Sequence, residues 1–514
     1  MSRQIIRLGI GLMVAYLALF VQLNRIQFFG AEELQTHPSN SRPLVADFGA
    51  PRGSIFAADG TVLARSVELE EGAVERQREY PTGELFAEVT GYVSFDAGSD
   101  GLEDSYDDEL RGERNVLSDG LRELLGGESS TADVRTTLSV DLQEAARAAL
   151  GERTGSVVVL DAQSGAVQAL WSYPSYDPNL LADVDNRAAQ NARRTLLNDS
   201  ANPLLPRTYR ELYFPGSTFK MVTAASALDE GVVTLDSPAF AVSDGYTPPL
   251  TDRPFGNFAG GSCGGPLLDL IRRSCNSGFA QLAVELLGAP ALVETAEDFG
   301  FNERPPIELP GAVASTMPTD FGEDLGVDVE VAPDLISQFD VPPDPVELTD
   351  NIPALAQSSS GQFEVKASPL QMALVAAAIA NDGAVPNPHV VASVVDSEGE
   401  VLESADLDPW REAMTAQTAA LLRQSMVEVV DSGTGTSMQI EGLFVGAKTG
   451  TAQVGEVNDA THAWVIAFAG ESLARPDLAI AVIIEADPEI GEQTGGRVAG
   501  PVARDVIAAW QALR

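Results

Sequence analysis

One uninterrupted apolar run close to the N-terminus restricts this chain more than any other feature of its sequence. Residues 8–21 are apolar and follow Arg3 and Arg7. At about 1.5 Å per residue the run is slightly short for a bilayer core of about 30 Å, but flanking arginines can extend their side chains to the interface. Residues 22–25 do not form the small-residue cleavage site of a signal peptide, which favours an uncleaved anchor. The two arginines predict a single-pass cell-membrane protein with a cytoplasmic N-terminus and an extracytoplasmic remainder.

The charge balance excludes one broad class of partner. The chain has 514 residues, and domains of about 150 residues would give it two to four of them. It carries 75 Asp and Glu against 32 Lys and Arg, a net charge of -43. Because such a chain repels phosphates, we expect no nucleic-acid partner. A solvated acidic surface accounts for the charge.

The residue types that are rare in this chain restrict the kinds of metal site, disulfide and catalytic base that it can form. The three histidines have no second ligand at metal-binding spacing, so we expect no metal site and no cofactor. Two cysteines, Cys263 and Cys275, are too few for a disulfide scaffold. The chain has only three lysines, Lys220, Lys366 and Lys448. Where Arg supplies nearly all the positive charge, a lysine can be present because it can lose its proton and act as a base.

The pattern of apolar residues predicts three parts. Residues 1–29 contain the cytoplasmic tip and the anchor, and residues 30–137 are acidic, with short strands, loops and a flexible acidic stretch at 96–108. Strand-like runs at 156–160 and 166–171 flank a turn, which places a boundary near 135–140. Two further runs, at 462–469 and 478–486, precede a helix over 501–513. We therefore predict an α+β domain over 138–514 whose sheet uses strands from both ends of that region.

The first candidate site combines a serine and a lysine. Apolar residues at helical spacing from 219 to 228 predict a helix that Gly231 ends. Ser217 then lies at the helix N-terminus, where backbone N–H groups favour a developing oxyanion. Lys220 lies one turn further on the same face, within reach of the serine hydroxyl. The alternative is a surface helix that carries this pair by chance.

The second candidate lies between two apolar helical segments, 267–271 and 279–286. Ser274 and Asn276 occupy the turn, and their two-residue offset can direct both side chains to one side of the bend. On this segment alone, a helix cap by Asn276 or Ser277 is an equally good interpretation.

The third candidate is the run Lys448, Thr449, Gly450 and Thr451. On an edge strand these residues could offer cationic and hydroxyl contacts to a carboxylate, and Gly450 would let a ligand approach the backbone. A polar turn is the alternative. Two of the three lysines fall in these motifs, in the order helix, turn, strand, and this conjunction favours one shared site.

At these residues the chain resembles the penicillin-binding protein and serine β-lactamase superfamily, whose signatures are Ser-x-x-Lys, Ser-x-Asn and Lys-Thr-Gly. More narrowly it resembles the class B penicillin-binding proteins, the monofunctional peptidoglycan D,D-transpeptidases. The likeness extends over nearly the whole chain, including segments 52–55, 59–64, 101–106, 110–112, 161–165, 174–178, 368–373, 462–464 and 500–502. Residues 29–42 resemble the actinobacterial penicillin-binding protein A branch. The resemblance implies an antiparallel sheet flanked by helices with a helical subdomain, an N-terminal β-rich pedestal domain and one transmembrane anchor.

The resemblance also implies a role for each catalytic residue. Ser217 would attack the bond between the two terminal D-alanines of a stem peptide and form an acyl-enzyme. Lys220 would take the serine proton, and burial together with the nearby charge of Lys448 would lower its pKa. Ser274, helped by Lys448, would pass a proton to the leaving amine. Asn276 would hold a substrate amide.

By the same resemblance, the strand residues would bind the donor. The hydroxyls of Thr449 and Thr451, beside Gly450, would receive the terminal carboxylate, and the backbone N–H groups of Ser217 and Thr451 would form the oxyanion hole. An amine of a neighbouring stem peptide would then complete the cross-link, with D,D-carboxypeptidase activity as a side reaction. β-Lactams would trap Ser217. The N-terminal domain would dock a membrane glycosyltransferase of the SEDS family.

Some interpretations stay open. A β-lactamase or a β-lactam sensor fits less well, because the chain has an N-terminal module and a short cytoplasmic tip, whereas a cell-wall scaffold with a dispensable site remains an alternative. Residues 320–350 contain ten Asp or Glu and no Lys or Arg, which predicts a solvated loop or, less simply, a partner-binding arm. Residues 358–362 replace the Gly-rich approach that relatives often have. A disulfide between Cys263 and Cys275 that braces the Ser274 turn is a hypothesis.

Overall fold

The computed structural model describes residues 2–25, 50–70, 74–112, 131–453, 460–487 and 489–514. The segment 29–42, which carries the resemblance to one branch of the family, lies outside the described residues. The chain divides into two compact units, one of Met1–Pro51 with Ser66–Gln77 and one of Arg52–Arg65 with Arg78–Arg514. The predicted boundaries at 29 and 137 stay predictions.

The first unit contains the predicted apolar helix. Helix α1 (Ser2–Asn24) carries apolar side chains that are exposed throughout, and Arg3–Asn24 is long and apolar enough to cross a membrane. Apolar side chains on every face of a long helix are the pattern typical of a membrane span. The helix is consistent with the single anchor that the sequence predicts.

The strands of the described residues are mostly short, and the two longest, at residues 444–453 and 461–470, have ten residues each. In chain order they are β1 Ile55–Phe56, β2 Val62–Glu68, β3 Arg76–Glu79, β4 Val93–Ser94, β5 Gly98–Ser99, β6 Asp133–Thr136, β7 Gly155–Asp161, β8 Val167–Tyr173, β9 Phe240–Ser243, β10 Gly245–Tyr246, β11 Phe255–Gly256, β12 Cys263–Gly265, β13 Asp324–Asp328, β14 Glu347–Thr349, β15 Ala384–Val385, β16 Val391–Val395, β17 Val401–Ser404, β18 Arg411–Glu412, β19 Phe444–Gln453, β20 Thr461–Gly470 and β21 Leu478–Ile484.

Helices fill the space between these strands. After α1 they are α2 Ala87–Thr90, α3 Leu102–Ser105, α4 Asp107–Arg111, α5 Val140–Leu150, α6 Asn186–Asn198, α7 Arg207–Arg210, α8 Lys220–Asp229, α9 Leu267–Arg273, α10 Asn276–Leu282, α11 Ala289–Asp298, α12 Pro333–Ile336, α13 Ile352–Ser358, α14 Pro369–Ala380, α15 Ala416–Ser432 and α16 Gly500–Ala512. Two π-helical turns, Ala283–Leu287 and Gly495–Ala499, adjoin α10 and α16.

The central sheet joins strands from both ends of residues 138–514, as the sequence predicts. Its order is β19-β20-β21-β7-β8, and every pair in it is antiparallel. All residues of β21 are buried, so both faces of the sheet are covered, which explains the continuous rather than alternating apolar run in this strand. Helix α14 packs on β21, β7 and β20, while α5 and α16 pack on each other and on the sheet. Strand β19 lies at the sheet edge and carries the third candidate motif.

A second, six-stranded sheet has the order β17-β16-β6-β1-β2-β3, with β1 and β6 parallel. Residues 320–350 are more ordered than the solvated loop that the sequence predicts, because β13 pairs with β14 and Leu335 and Val346 are buried. Their acidic side chains are mostly exposed.

The prediction of a flexible acidic stretch at 96–108 is wrong. These residues form β5, α3 and the start of α4, and Glu103 within them is completely buried. The Glu103 carboxylate lies 2.6 Å from Nε of both Arg52 and Arg78. Burial raises the pKa of Glu103, but the two guanidinium groups outweigh burial and hold its pKa below the usual value. Two distant arginines therefore order a segment whose local composition indicates a loop.

This ion-pair network predicts a large stability effect. Replacing Glu103 by alanine should lower the free energy of unfolding by about 3–5 kcal/mol, because it removes the buried carboxylate that pairs with both Arg52 and Arg78, although Asp107 still pairs with Arg52. Urea denaturation of the purified chain measures this. Glu79→Gln, which breaks the exposed Arg65 pair, is the matched control and should cost about 1 kcal/mol or less. Equal losses for both variants would contradict a buried network.

Candidate active site

Ser217 lies at the start of a helix, as the sequence predicts. It is the middle residue of a 3₁₀ turn, Gly216–Thr218, that leads directly into α8, and its side chain is half-buried. The Gly216 N–H donates to the Gly361 carbonyl at 3.0 Å, which ties the serine turn to residues 358–362. The departure of this segment from a Gly-rich sequence therefore leaves its contact with the serine turn intact.

The Lys220 amine holds three parts of the site together. Its Nζ lies 3.1 Å from Ser217 Oγ, 2.9 Å from the Ser274 carbonyl oxygen and 2.5 Å from Asn276 Oδ1. The side chain is fully buried. The first and second candidate motifs thus form one site.

These three contacts match the bonding capacity of a neutral amine. Two of the partners, the Ser274 carbonyl and Asn276 Oδ1, can only accept hydrogen bonds, whereas the Ser217 hydroxyl can also donate. A neutral amine has two hydrogens and one lone pair, so it can donate twice and accept the serine proton. Burial and, to a smaller degree, the charge of Lys448 lower the pKa of Lys220 well below its usual value. Both effects favour the neutral form of Lys220, which is the form that can accept the proton of Ser217.

Lys448 connects the third motif to the second. Its buried Nζ donates to Ser274 Oγ and to the Thr449 carbonyl, both at 2.8 Å. Burial lowers the pKa of Lys448 to about 7. Since the Ser274 hydroxyl accepts from Lys448, its own hydrogen is available to another group. Ser274 thus contacts both lysines, Lys220 through its carbonyl and Lys448 through its hydroxyl, and the second contact can relay a proton.

The backbone at Ser274 makes its two contacts possible. Ser274 ends α9 in the left-handed conformation, with φ 58° and ψ 45°, which is unfavourable for a residue with a Cβ. In this conformation its carbonyl faces Lys220 while its hydroxyl faces Lys448. The next residue, Cys275, forms a disulfide with Cys263 of β12, which confirms the hypothesis made from the sequence. The disulfide covalently ties this turn to a strand.

Asn276 is the first residue of α10 and has both ends of its amide engaged. Oδ1 accepts from Lys220, and Nδ2 donates to the Gly256 carbonyl of β11 at 3.0 Å. One N–H of the amide remains for a ligand. The geometry therefore adds a structural task, orienting Lys220, to the predicted contact with a substrate amide.

Strand β19 presents the threonines of the third motif on the free edge of the sheet. Thr451 is half-buried, and Thr449 is almost fully buried. A Cβ at Gly450 would lie 3.0 Å from the Pro215 carbonyl oxygen and from Thr218 Cγ2. The close approach that Gly450 permits is thus that of the Ser217 turn, whereas the sequence analysis assigned it to a ligand.

One polar contact at this edge could not be predicted from the sequence. Thr449 Oγ1 lies 2.6 Å from Oγ1 of Thr434, in the loop that follows α15. The run Gly433, Thr434, Gly435 indicates a tight loop, but its position in the sequence does not indicate which strand it meets.

Two family models match the chain. The model described as the penicillin binding protein transpeptidase domain matches residues 155–508, and the model described as the penicillin binding protein A dimerisation domain matches residues 52–134.

Named relatives match over full length. The peptidoglycan D,D-transpeptidase PbpA of Mycolicibacterium smegmatis is 34% identical over 525 residues, covering 99% of each chain. The protein of the same name from Mycobacterium tuberculosis is 32% identical over 524 residues, again covering 99% of each. A solved structure, penicillin-binding protein A from M. tuberculosis as its penicillin G acyl-enzyme complex, superposes with a TM-score of 0.76 at 32% identity, covering 90% of this chain and 100% of that one.

The paired lysines predict a pH dependence for Ser217. Its rate of reaction with an acylating penicillin should fall as the pH is lowered, because protonated Lys220 cannot accept the serine proton. Replacing Lys448 by methionine removes a like charge, so the pKa of Lys220 should rise and the acid limb of the rate profile should move to higher pH. Stopped-flow acylation across the pH range measures the midpoint, which reports the coupled lysines together.

The third lysine supplies the control for this experiment. Lys366 is exposed, with its Nζ 5.7 Å from the centre of the Phe214 ring. Lys366→Met should leave the midpoint unchanged. A Lys448→Met midpoint equal to that of the wild type would show that Lys448 does not influence the base.

Proposed function

Since this chain belongs to the class B penicillin-binding proteins, the serine D,D-transpeptidases of peptidoglycan synthesis, we propose that Ser217 is its nucleophile and Lys220 its general base. The enzyme cross-links peptidoglycan stem peptides through an acyl-serine and binds β-lactams covalently. Its fold is the penicillin-binding transpeptidase fold with an N-terminal dimerisation domain. The observation that carries the proposal is the Lys220 amine in hydrogen-bond contact with Ser217, Ser274 and Asn276 at once.

Acylation begins at the penultimate D-alanine of the donor. The Ser217 oxygen adds to its carbonyl carbon while the serine proton moves to Lys220. The resulting oxyanion accepts hydrogen bonds from the backbone N–H groups of Ser217 and Thr451, as in other acyl-transfer sites. The remaining N–H of Asn276 binds an amide of the donor. Because both the base and the nucleophile are held before the donor arrives, little reorganisation is needed.

Collapse of this intermediate releases the terminal D-alanine. The C–N bond breaks, and the departing amine takes a proton from the Ser274 hydroxyl, which in turn takes one from Lys448, while Lys220 keeps the proton of Ser217. The carboxylate of the terminal D-alanine is bound by the hydroxyls of Thr449 and Thr451 beside Gly450. This contact selects donors that end in a free carboxylate.

Transfer to an acceptor reverses these proton movements. The acceptor amine attacks the ester carbonyl and its proton passes through the Ser274 hydroxyl to Lys448, while the ester C–O bond breaks and Ser217 regains its hydrogen from Lys220. Water in place of the amine gives a D,D-carboxypeptidase side reaction. A β-lactam follows the acylation step but its leaving group stays tethered to the acyl group, so the adduct persists.

We further propose that the catalytic region is extracytoplasmic and that a SEDS-family membrane glycosyltransferase is a partner. Arg3 and Arg7 before the apolar helix favour a cytoplasmic N-terminus. The Cys263–Cys275 disulfide supports an oxidising compartment. Support for the partner is the family resemblance of the N-terminal region. We keep residues 30–137 as the pedestal domain, 138–514 as the transpeptidase domain and 320–350 as its acidic segment.

Covalent labelling tests the nucleophile. We expect a fluorescent penicillin to give a stable labelled band with the wild-type chain and none with Ser217→Ala, because the ester forms only on that hydroxyl. Denaturing gel electrophoresis measures it. Ser200→Ala, in an exposed turn, is the matched control and should label normally.

Two outcomes would contradict the assignment. Absence of label on folded wild-type chain would rule out acyl transfer and leave the scaffold alternative. Label on the Ser217→Ala variant would place the nucleophile at another serine, which peptide mapping of the adduct would identify.

A further inference from the structure

The contact between Thr434 and Thr449 has no role in the mechanism so far. The two Oγ1 atoms are 2.6 Å apart, so one hydroxyl donates to the other. Thr434 is exposed, whereas Thr449 is almost fully buried on β19. The more exposed hydroxyl of this pair therefore belongs to Thr434, which lies outside the three motifs.

Backbone contacts fix Thr434 in this position. A Cβ at Gly433 would lie 2.5 Å from the Arg272 carbonyl oxygen, in the helix that leads to Ser274. On the other side, a Cβ at Gly496 would collide with the Thr434 carbonyl oxygen. The Ser437 hydroxyl donates to the Gly496 carbonyl at 2.7 Å, which ties the end of the loop to the same turn. The loop is thus held between the Ser274 helix and the turn before α16, and these contacts fix the backbone of Thr434.

The number of hydrogens in this pair determines what it can bind. Two hydroxyls carry two hydrogens, and one of them lies between the two oxygens. The other remains free, on Thr449 if Thr434 donates and on Thr434 if Thr449 donates. A carboxylate only accepts hydrogen bonds, so it can take this free hydrogen in either arrangement. The shared hydrogen bond also polarises the free hydroxyl and strengthens its bond to an anion.

We propose that Thr434 is a specificity-determining residue that, with Thr449, forms one hydroxyl pair for the terminal carboxylate of the donor. This inference rests on the proposed function, because it assigns a partner to the carboxylate subsite of the same reaction. The pair acts as a unit: loss of either hydroxyl leaves the other without its partner. The third member of the subsite, Thr451, lies two residues further on the strand and is independent of Thr434.

A carboxylate and its neutral ester distinguish this role from a purely structural one. Penicillin G carries a free carboxylate, and its methyl ester has the same reactive ring without the charge. In the wild-type chain the acid should acylate Ser217 faster than the ester. In Thr434→Val the rate constant for the acid should fall about tenfold, the value of one charge-assisted hydrogen bond, while that for the ester changes little. Thr434→Ser, which keeps the hydroxyl, should restore the preference for the acid.

A double-mutant cycle tests whether the two threonines act together. If they form one unit, Thr434→Val combined with Thr449→Val should be no slower with penicillin G than Thr449→Val alone. Independent, additive losses would overturn the pairing. Equal losses for acid and ester in Thr434→Val would overturn carboxylate selection and indicate a general disturbance of the site.

Two further measurements separate this inference from its premises. Thr436→Val, an exposed residue of the same loop, is the control and should keep the wild-type ratio of acid to ester rates. If Thr434→Val fails to fold by circular dichroism, the smaller Thr434→Ala replaces it in both experiments. A wild-type chain that penicillin G does not acylate would defeat the proposed function itself, whereas a wild-type chain that reacts while Thr434→Val keeps its ratio would defeat only the role of Thr434.

Discussion

The burial of one lysine amine determines much of this structure. Lys220 is fully buried, so its charge has to be lost or compensated, and no carboxylate among the described residues pairs with it. Two carbonyl-type acceptors and one hydroxyl surround the amine, a set that a neutral amine satisfies completely. The left-handed turn at Ser274, the orientation of the Asn276 amide and the approach of the Ser217 turn all serve this one group. The reactivity of the site is therefore also the solution to a packing problem.

The sequence carried the components of the site but not the way they are joined. Ser217 and Lys220 could be placed on one helix face because they are one turn apart, and an edge strand for Lys448 followed from its glycines and threonines. The contacts of Ser274 with two lysines could not be predicted, because they depend on a left-handed residue between two helices. Thr434 was missed for a similar reason: it is close to Thr449 only through the packing of a loop between two other elements.

The fold, like the site, was predictable where local sequence determines it and was not predictable where distant residues do. The strands at both ends of the catalytic region have continuous apolar runs, and the sequence placed them in one sheet, where β7 and β21 are neighbours. At 96–108 the prediction was wrong because local composition determined it, whereas the outcome depends on Arg52 and Arg78, which are distant in sequence from Glu103. A buried charge that is neutralised by remote partners leaves no periodic signal. Short-range patterns are reliable where burial is continuous and fail where a single long-range ion pair orders the chain.

The scarcity of lysine limits the transfer of acyl groups to side chains of the enzyme itself. In the proposed mechanism an acyl group held on Ser217 is transferred to an amine, and any accessible lysine of the enzyme could compete with the stem peptide for it. This chain has 32 Lys and Arg, but only three are lysines, and two of those are buried inside the site. The remaining positive charge is on guanidinium groups, which stay protonated and are not nucleophilic. Apart from its terminal amine, the protein thus presents Lys366 alone as an exposed amine, and its acidic, arginine-based surface makes it a poor substrate for itself.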